Sequence, residues 1–312
     1  CFLLDTETAV NIGPAIKIYN LNAIVWNLCA IICRVSKNNK LTPTISHFNS
    51  VEPPLHAAGA NRSARRLAAA FWPGPLTLIL NRPDNSPIAA LASAGTDTLA
   101  VRVPSHPAAL ALLTRVGAPV VAPSANPSGR ISPSTAQHVA TGLGPACDMI
   151  LDGGACESGL ESTVIDCRSD RPVLLRPGPL TAEQLADQIG IDMTSGPAKT
   201  QTDKLVSPGQ IESHYAPHAT VRLNATERYK GEVYIGFGPS APGLVPDFNL
   251  SESAELVEAA ANLFAVLHEA DALNAGAIAI APIPMAGLGL AINDRISRAA
   301  APRPAGQTEF DA

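Results

Sequence analysis

The stretch "TLAVRVPSHPAALALLTRVGAPVVAPSAN", residues 98–126, contains the pattern that decides the fold class. It begins with an apolar strand, continues with a helical spacing that ends at Gly117, and closes with a second strand that runs into a loop. A strand, a helix and a strand in such close succession are typical of α/β and α+β domains. We therefore predict a domain with a mixed sheet.

The same alternation extends over residues 62–190, and a smaller one follows a polar segment. In the first part, "ARRLAAAFW" and "SPSTAQHVATGLG" are predicted helices, and "PLTLIL", "MILDGG", "STVIDC" and "PVLLRPG" are predicted strands. In the second part, "GEVYIGFG" and "GAIAIAPIP" are predicted strands, and residues 253–270 and 288–300 are predicted helices. We predict a first domain over residues 1–190, a linker over 191–219, a smaller helix-covered sheet over 220–302 and a tail over 303–312.

Composition excludes several classes of protein. With 312 residues and 46% hydrophobic content, the chain is expected to be globular. Its net charge of -5 argues against a broad basic nucleic-acid surface, so that any contact with tRNA or double-stranded RNA would be weak and local. The apolar run over residues 23–33 is too short to span a membrane, and we expect no membrane partner.

The cysteines and the first residue bear on location. The six cysteines form no CxxC pair and no zinc-like spacing, so we expect reduced thiols and a cytoplasmic protein. The chain begins with Cys1 and enters "FLL" at once, which does not resemble a signal peptide. We expect that the start of the protein is missing.

Four polar clusters interrupt the apolar elements at strand ends, where open α/β sheets bind ligands. They are "DTETAVNIG" (residues 5–13), Arg102 within its apolar strand, "VVAPSANPSGRISPST" (residues 120–135), and "DGGACESGLESTVIDC" together with "LLRPGPL". A charge inside a short apolar strand needs a partner or a ligand, unless Arg102 lies on an exposed edge strand. Hydroxyl, amide and backbone N–H groups suit a phosphate or a carboxylate, although residues 120–135 could also form an ordinary turn before a helix.

Common catalytic signatures are absent from the sequence. It contains no GxxxxGK[ST] loop, no GxGxxG after a first strand and no GxSxG elbow. His47, His106 and Cys156 are not paired by their spacing. We therefore predict a site that binds and orients charged reactants, with no residue that becomes covalently modified and no metal held by protein side chains.

Five ordered motifs resemble those of the threonylcarbamoyl-AMP synthase family, whose catalytic unit is the YrdC-like domain. They are "FWPGPLTLIL", "TLAVRVPSHPAAL", "APVVAPSANPSGRISPSTAQHV", "DGGACESGLESTVID" and "LLRPGPLT". The segments "SPGQIESHYAP" and "IAIAPIPMAGLGLAINDRISRAA" are similar to those of the long, two-domain members. The resemblance covers residues 62–302 and implies a twisted mixed sheet with a large cavity, followed by a smaller Rossmann-like domain.

The resemblance also implies an activity. Family members join L-threonine, bicarbonate and ATP into L-threonylcarbamoyladenylate and release diphosphate, with Mg²⁺ on the ATP phosphates. The product supplies the modified adenosine at position 37 of tRNA, so tRNA would be served only indirectly, through a transfer complex. The resemblance implies L-threonine binding by Thr8, His47, Arg102, Ala122 and Ser162, and ATP binding by Thr98, Ser124, Asn126, Ser132, Arg176 and Tyr215.

The first 50 residues depart from the family pattern. The segment "RVSKNNKLTPTISHF" stands where the family has a basic motif, and its alignment puts Ser36 and Asn38 at the expected Lys and Arg positions. Lys37 or Lys40 could substitute for them. Loss of both cations predicts ATP binding weaker by roughly a hundredfold, since a charge-assisted contact contributes about 1.5–3 kcal/mol. We hypothesise a truncated chain, divergent over residues 14–50, with poor activity.

Two other functions remain open at this point. One is a catalytically impaired YrdC-like protein that binds nucleotide or RNA. The other is a carbamoyl-transfer enzyme with a different acceptor, as in hydrogenase maturation proteins, which would predict acylphosphatase-like or zinc-finger segments that this sequence lacks. For the smaller C-terminal domain we predict a regulatory or closing role through the linker.

Overall fold

The computed structural model describes residues 43–190 and 213–302, which form two compact units. Of the described residues, 43–125, 135–155 and 161–190 belong to the first unit. The second unit comprises residues 213–302 and two short segments from earlier in the chain, residues 126–134 and 156–160. Both segments lie within the range predicted for the first domain, residues 1–190, and most of the predicted linker lies outside the described residues.

The first unit contains six strands and five helices among its described residues. They are β1 (Ile45–His47), α1 (Glu52–Ala57), α2 (Arg62–Phe71), β2 (Leu76–Asn81), β3 (Thr98–Arg102), α3 (Pro107–Val116), β4 (Val120–Ala122), α4 (Ala136–Leu143), β5 (Thr163–Asp166), β6 (Val173–Arg176) and α5 (Ala182–Ile189). Short 3-10 turns cover Ala90–Ser93 and Gly144–Ala146.

One predicted strand is wrong. The run "MILDGG", residues 149–154, has no regular secondary structure. Its end forms a local turn, because the Asp152 carboxylate accepts a hydrogen bond of 3.0 Å from the backbone N–H of Gly154, which has a φ of +89°. An Asp side chain bonded to the backbone two residues on favours a turn over a sheet ladder.

The six strands form a mixed sheet in the order β4-β1-β3-β2-β5-β6, which confirms the predicted fold class. The pairs β1–β3 and β2–β5 are parallel, whereas β1–β4, β2–β3 and β5–β6 are antiparallel. The α3 helix connects β3 to β4 and ends at Gly117, whose φ of +70° is the left-handed conformation that glycine adopts without a steric cost.

The two faces of this sheet have different roles. Leu78 of β2, Val101 of β3 and Ile165 of β5 point to one face, where they form the main core with α1, α2 and α5. Successive side chains of a strand alternate between faces. The opposite face carries a smaller apolar cluster, which includes Ile79 and Ala100, and it also presents the polar residues of these strands.

The second unit has a parallel sheet of four strands in the order β7-β10-β8-β9. Its elements are β7 (Thr220–Arg222), β8 (Glu232–Gly236), β9 (Phe248–Asn249), α6 (Leu256–Ala272), β10 (Ala277–Ile280) and α7 (Leu288–Ala300). This separate sheet agrees with the predicted smaller α/β domain, and the helix predicted over residues 288–300 is confirmed. Within the described ranges, no helix has the length and apolar character needed to cross a membrane.

Candidate functional site

A row of side chains crosses the polar face of the mixed sheet. Val120 pairs with His47, and His47 pairs with Arg102 in register. Thr77 of β2 precedes Leu78, which pairs with Val101 of β3, the residue before Arg102. On the other side of β2, Thr77 pairs with Val164 of β5. Because paired residues of neighbouring strands point to the same face, the row brings polar groups from distant parts of the chain together.

A β-bulge brings Arg176 to this face. Val164 pairs with Arg176 while Ile165 pairs with Leu174, so Leu175 is an extra residue in β6. Without the bulge, Leu175 would pair with Val164, and strict alternation would turn Arg176 towards the helix-covered core. The bulge therefore lets a large charged side chain join the row at the end of an otherwise apolar strand.

The Arg102 guanidinium is held in place and buried. Arg102 is 8% exposed, and its Nε donates a hydrogen bond of 3.0 Å to the carbonyl oxygen of Gly74. Burial, and then the positive charge of Arg176, lower the pKa of Arg102 to about 10. Two guanidinium groups on one buried face suit an anionic ligand, because each can donate paired hydrogen bonds to a carboxylate or a phosphate.

His47 is a neutral imidazole in this arrangement. Burial lowers the pKa of His47 to about 3, and the charge of the adjacent Arg102 acts in the same direction. A neutral imidazole offers one N–H donor and one acceptor nitrogen. His47 can therefore form hydrogen bonds with a ligand without adding a third positive charge.

Ser162 connects Arg176 to β2. Arg176 donates from Nε and Nη2 to the Ser162 carbonyl oxygen, at 3.1 and 2.8 Å, and from Nη2 to Ser162 Oγ at 3.2 Å. The hydroxyl groups of Ser162 and Thr77 form a hydrogen bond of 2.7 Å. All three side chains are buried. The loop before β5 is thus fixed against β2 and β6 by side-chain bonds.

The other predicted residues of the first unit lie at strand ends. Thr98 begins β3 on the same face as Arg102, and its Oγ1 lies 2.8 Å from Oγ1 of Thr96. Ala122 ends β4, where it pairs with Ile45 of β1, and Ser124 follows in the exposed loop. Thr8, Ser36, Lys37, Asn38 and Lys40 lie outside the described residues.

Asn126 and Ser132 belong to the second unit, in the segment of residues 126–134. The Asn126 amide donates hydrogen bonds to the carbonyl oxygens of Arg130, at 2.9 Å, and Pro127, at 3.1 Å. Ser132 is fully buried, and its carbonyl oxygen lies 3.1 Å from Nε2 of His268 on α6. The segment is therefore held both by an internal amide and by the helix on which it packs.

Tyr215 lies against the same segment and helix. The backbone N–H of the next residue, Ala216, donates to the carbonyl oxygen of Gly129 at 2.9 Å. The Tyr215 ring is buried, with its centroid 5.3 Å from that of Phe264. Tyr215 has a φ of +63°, a conformation that a large non-glycine residue adopts only when its surroundings hold it there.

Sequence reasoning missed Thr77, which occupies the middle of the polar row. A hydroxyl residue inside the run "PLTLIL" was a usable signal, because a buried hydroxyl in an apolar strand needs a partner. Among residues 43–190 and 213–302, no cluster of three or more His, Cys, Asp or Glu side chains is arranged to hold a metal ion.

The mixed sheet with buried arginines on one face, accompanied by a separate parallel sheet, defines a two-unit α/β protein suited to anionic ligands. A family model described as "Telomere recombination" matches residues 10–178, and one described as "Threonylcarbamoyl-AMP synthase, C-terminal domain" matches residues 180–301. The chain belongs to the threonylcarbamoyl-AMP synthase family.

Individual relatives agree with this assignment. Threonylcarbamoyl-AMP synthase of Bacillus subtilis is 35% identical, over 95% of this chain and 91% of that protein. The Pyrococcus abyssi enzyme of the same name is 34% identical, over 94% of this chain and 88% of that protein. The crystal structure of P. abyssi Sua5 complexed with L-threonine matches with a TM-score of 0.72 and 36% identity, covering 83% of this chain and 80% of that chain.

Proposed function

We propose that this protein is an L-threonylcarbamoyladenylate synthase, which forms threonylcarbamoyl-AMP from L-threonine, bicarbonate and ATP and releases diphosphate. The observation that carries the proposal is the placement of Arg102 and Arg176 on one buried face of the mixed sheet. Guanidinium groups bind carboxylates and phosphates through paired, charge-assisted hydrogen bonds. L-threonine supplies a carboxylate and ATP supplies a triphosphate.

In this proposal, Arg102 binds the carboxylate of L-threonine. A guanidinium can donate two parallel hydrogen bonds to a carboxylate, and its orientation is already set by the bond to Gly74. His47 contributes a neutral hydrogen-bonding group beside it, and Ser162 contributes a hydroxyl. The backbone at Ala122 and the side chain of Thr8 complete the proposed threonine contacts.

We assign the ATP contacts to six residues that match the family's motifs, namely Thr98, Ser124, Asn126, Ser132, Arg176 and Tyr215. Arg176 supplies the positive charge, while the other residues supply hydroxyl, amide and phenol groups. Mg²⁺ would enter with ATP and neutralise part of the phosphate charge.

The proposed chemistry requires orientation and exclusion of water rather than a covalent enzyme intermediate. The amine nitrogen of threonine forms a bond to the carbon of bicarbonate, a C–O bond breaks and water leaves, and the resulting carbamate is unstable in water. A carbamate oxygen then attacks the α-phosphorus of ATP, an O–P bond forms, and the bond to the diphosphate leaving group breaks. Residues that hold both reactants beside each other in a dry site supply most of the rate enhancement.

The product would serve tRNA modification at position 37 through a separate transfer complex, in the cytoplasm. We therefore infer ATP, L-threonine and bicarbonate as direct partners, and tRNA as an indirect one. The net charge of -5 agrees with an indirect role for tRNA, since a negative protein does not favour binding to the phosphate backbone.

One feature of the sequence favours a second candidate, a YrdC-like nucleotide-binding protein with impaired synthesis. Ser36 and Asn38 occupy the positions where the family pattern has Lys and Arg. Weaker ATP binding and slow turnover would follow from the loss of two phosphate-facing cations.

Diphosphate release from ATP separates the two candidates. The full chain should release diphosphate only when L-threonine and bicarbonate are both present, and each omission should abolish release. Arg102→Ala should lower it roughly 10- to 100-fold when L-threonine is well below saturation, while Arg115→Ala, a change of an exposed arginine on α3, should not. Binding of ATP without threonine-dependent release would favour the impaired protein, and absence of both would refute the synthase.

A further inference from the structure

Thr77 occupies the centre of the polar row but has no assigned role. It is fully buried in β2, between Arg102 on one neighbouring strand and Val164 on the other. Its hydroxyl lies 2.7 Å from Oγ of Ser162, a residue 85 positions away in the chain. Thr77 therefore contacts a proposed threonine-binding hydroxyl directly.

Thr163, the residue after Ser162, has a hydroxyl in a different environment. Thr163 Oγ1 donates to the carbonyl oxygen of Leu180 and accepts from the backbone N–H of the same residue, both at 3.0 Å. Both of these bonds are to backbone groups, so Thr163 has a structural role. The Thr77 hydroxyl is instead directed to a side chain that faces the proposed site.

The bonding capacity of Ser162 shows what Thr77 can do. A serine hydroxyl has one hydrogen to donate and two lone pairs to accept with. Arg176 Nη2 already donates to Ser162 Oγ. If Thr77 also donates, both lone pairs are filled, and the Ser162 hydrogen is available to a ligand oxygen. If Ser162 donates to Thr77, its hydrogen is consumed within the protein.

We propose that Thr77 is a positioning residue for L-threonine: its hydroxyl donates to Ser162 Oγ and thereby directs the Ser162 hydrogen to an oxygen of the bound amino acid. This inference rests on the proposed function, because it requires that Ser162 contacts threonine. The chain of donors from Thr77 through Ser162 to the ligand strengthens each bond by polarisation. Thr77 itself does not touch the reactants.

The test is calorimetric titration of the full chain with L-threonine and, separately, with ATP. Thr77→Val has nearly the same shape but no hydroxyl, and it should weaken L-threonine binding about 2- to 12-fold, the equivalent of one net hydrogen bond. Thr77→Ser keeps the hydroxyl and should restore binding. ATP affinity should stay within about twofold, because Arg176 keeps its bonds to the Ser162 carbonyl oxygen.

A matched control is Thr220→Val, which removes a similar hydroxyl bond, to the carbonyl oxygen of Gly276 in the second unit. It should leave L-threonine affinity unchanged. If Thr77→Val does not fold, as judged by thermal unfolding, Thr77→Ser and Thr77→Ala make the same comparison. The decisive measurement is made in Ser162→Ala, where a further Thr77→Val change should have no effect on L-threonine affinity.

Each outcome has a defined meaning. Failure of the unaltered chain to bind L-threonine overturns the proposed function. Binding by the unaltered chain with equal affinity in Thr77→Val, or additive losses in the double variant, overturns the role of Thr77 alone. Equal losses of ATP and L-threonine affinity would indicate a general structural role and would also overturn the inference.

Discussion

His47 and Arg102 lie side by side in the mixed sheet, paired in register on the parallel strands β1 and β3 and pointing to the same face. Burial, and then the neighbouring guanidinium, lower the pKa of His47 and keep the imidazole neutral. The pair thus offers a ligand one fixed positive charge and one neutral hydrogen-bonding ring. An anionic group such as a carboxylate matches this combination better than a second cation would.

The depressed pKa of His47 predicts acid sensitivity. The unfolded chain binds a proton at His47 below pH 6.5, whereas the folded chain binds it only near pH 3. The free energy of unfolding should therefore fall by about 1.4 kcal/mol per pH unit as the pH drops from 6.5 towards 3. Urea unfolding followed by tryptophan fluorescence measures this.

The control for this prediction is His47→Gln, which cannot titrate in that range. The difference in unfolding free energy between the unaltered chain and the variant should change by about 2–3 kcal/mol between pH 7 and pH 4.5, in favour of the variant at low pH. A difference that stays constant with pH would show that His47 is not held neutral.

Replacement of Arg102 should separate the two proposed ligands. Arg102→Ala should weaken L-threonine binding by roughly 10- to 100-fold, since a hydrogen-bonded charge contributes about 1.5–3 kcal/mol. Arg102→Lys should recover part of the loss, because an ammonium cannot reproduce the two parallel bonds of a guanidinium. Titration calorimetry with L-threonine checks both variants. A larger loss of ATP affinity than of threonine affinity would contradict the assignment.

Gly159 should tolerate no side chain. An added Cβ would lie 2.0 Å from the carbonyl oxygen of Ala260 and 2.6 Å from Cα of Ala261, both on α6, and Gly159 has a φ of +61°. Gly159→Ala should lower the unfolding free energy by about 2–4 kcal/mol, through overpacking and an unfavourable backbone conformation.

Gly117→Ala serves as the comparison for this glycine. Gly117 has a similar φ, +70°, but nothing lies within 4 Å of an added Cβ. Gly117→Ala should lower the unfolding free energy only by the cost of the unfavourable backbone conformation, about 1–2 kcal/mol. Calorimetric unfolding of both variants measures the difference, and equal destabilisation would show that residues 156–160 do not pack closely on α6.

The α6 helix should influence ATP binding through Ser132. His268→Ala removes the ring whose Nε2 lies 3.1 Å from the Ser132 carbonyl oxygen, so the segment of residues 126–134 should lose a support. We expect ATP affinity to weaken several-fold, which corresponds to the net free energy of about one hydrogen bond. L-threonine affinity should be unchanged. His268→Gln can still donate and should lose less.

Removal of residues 220–312 tests whether the C-terminal domain as a whole influences ATP binding. The deletion takes away α6, on which two segments of the second unit pack, and it should therefore weaken ATP binding more than His268→Ala does. Titration of the shortened chain with ATP and with L-threonine measures this. Unchanged affinities for both ligands would remove the proposed role of the C-terminal domain.

Local patterns in the sequence were sufficient for most of the elements between residues 62 and 302 and for the fold class. The helix from Pro107 to Val116 ends at a glycine in the left-handed conformation, and the strand that contains Arg102 alternates between faces as its spacing predicted. These features depend on residues a few positions apart. The predicted strand at residues 149–154 failed because an Asp side chain stabilises a turn there.

The arrangement of the site was decided by the tertiary structure. The amino-acid sequence by itself determined which residues are polar within apolar strands, because hydrophobic periodicity is a local property. The extra residue Leu175 that turns Arg176 onto the face of Arg102, and the bond between Thr77 and Ser162, depend on how strands distant in sequence pair with one another. Register is set by the packing of a whole sheet, so no short segment contains it.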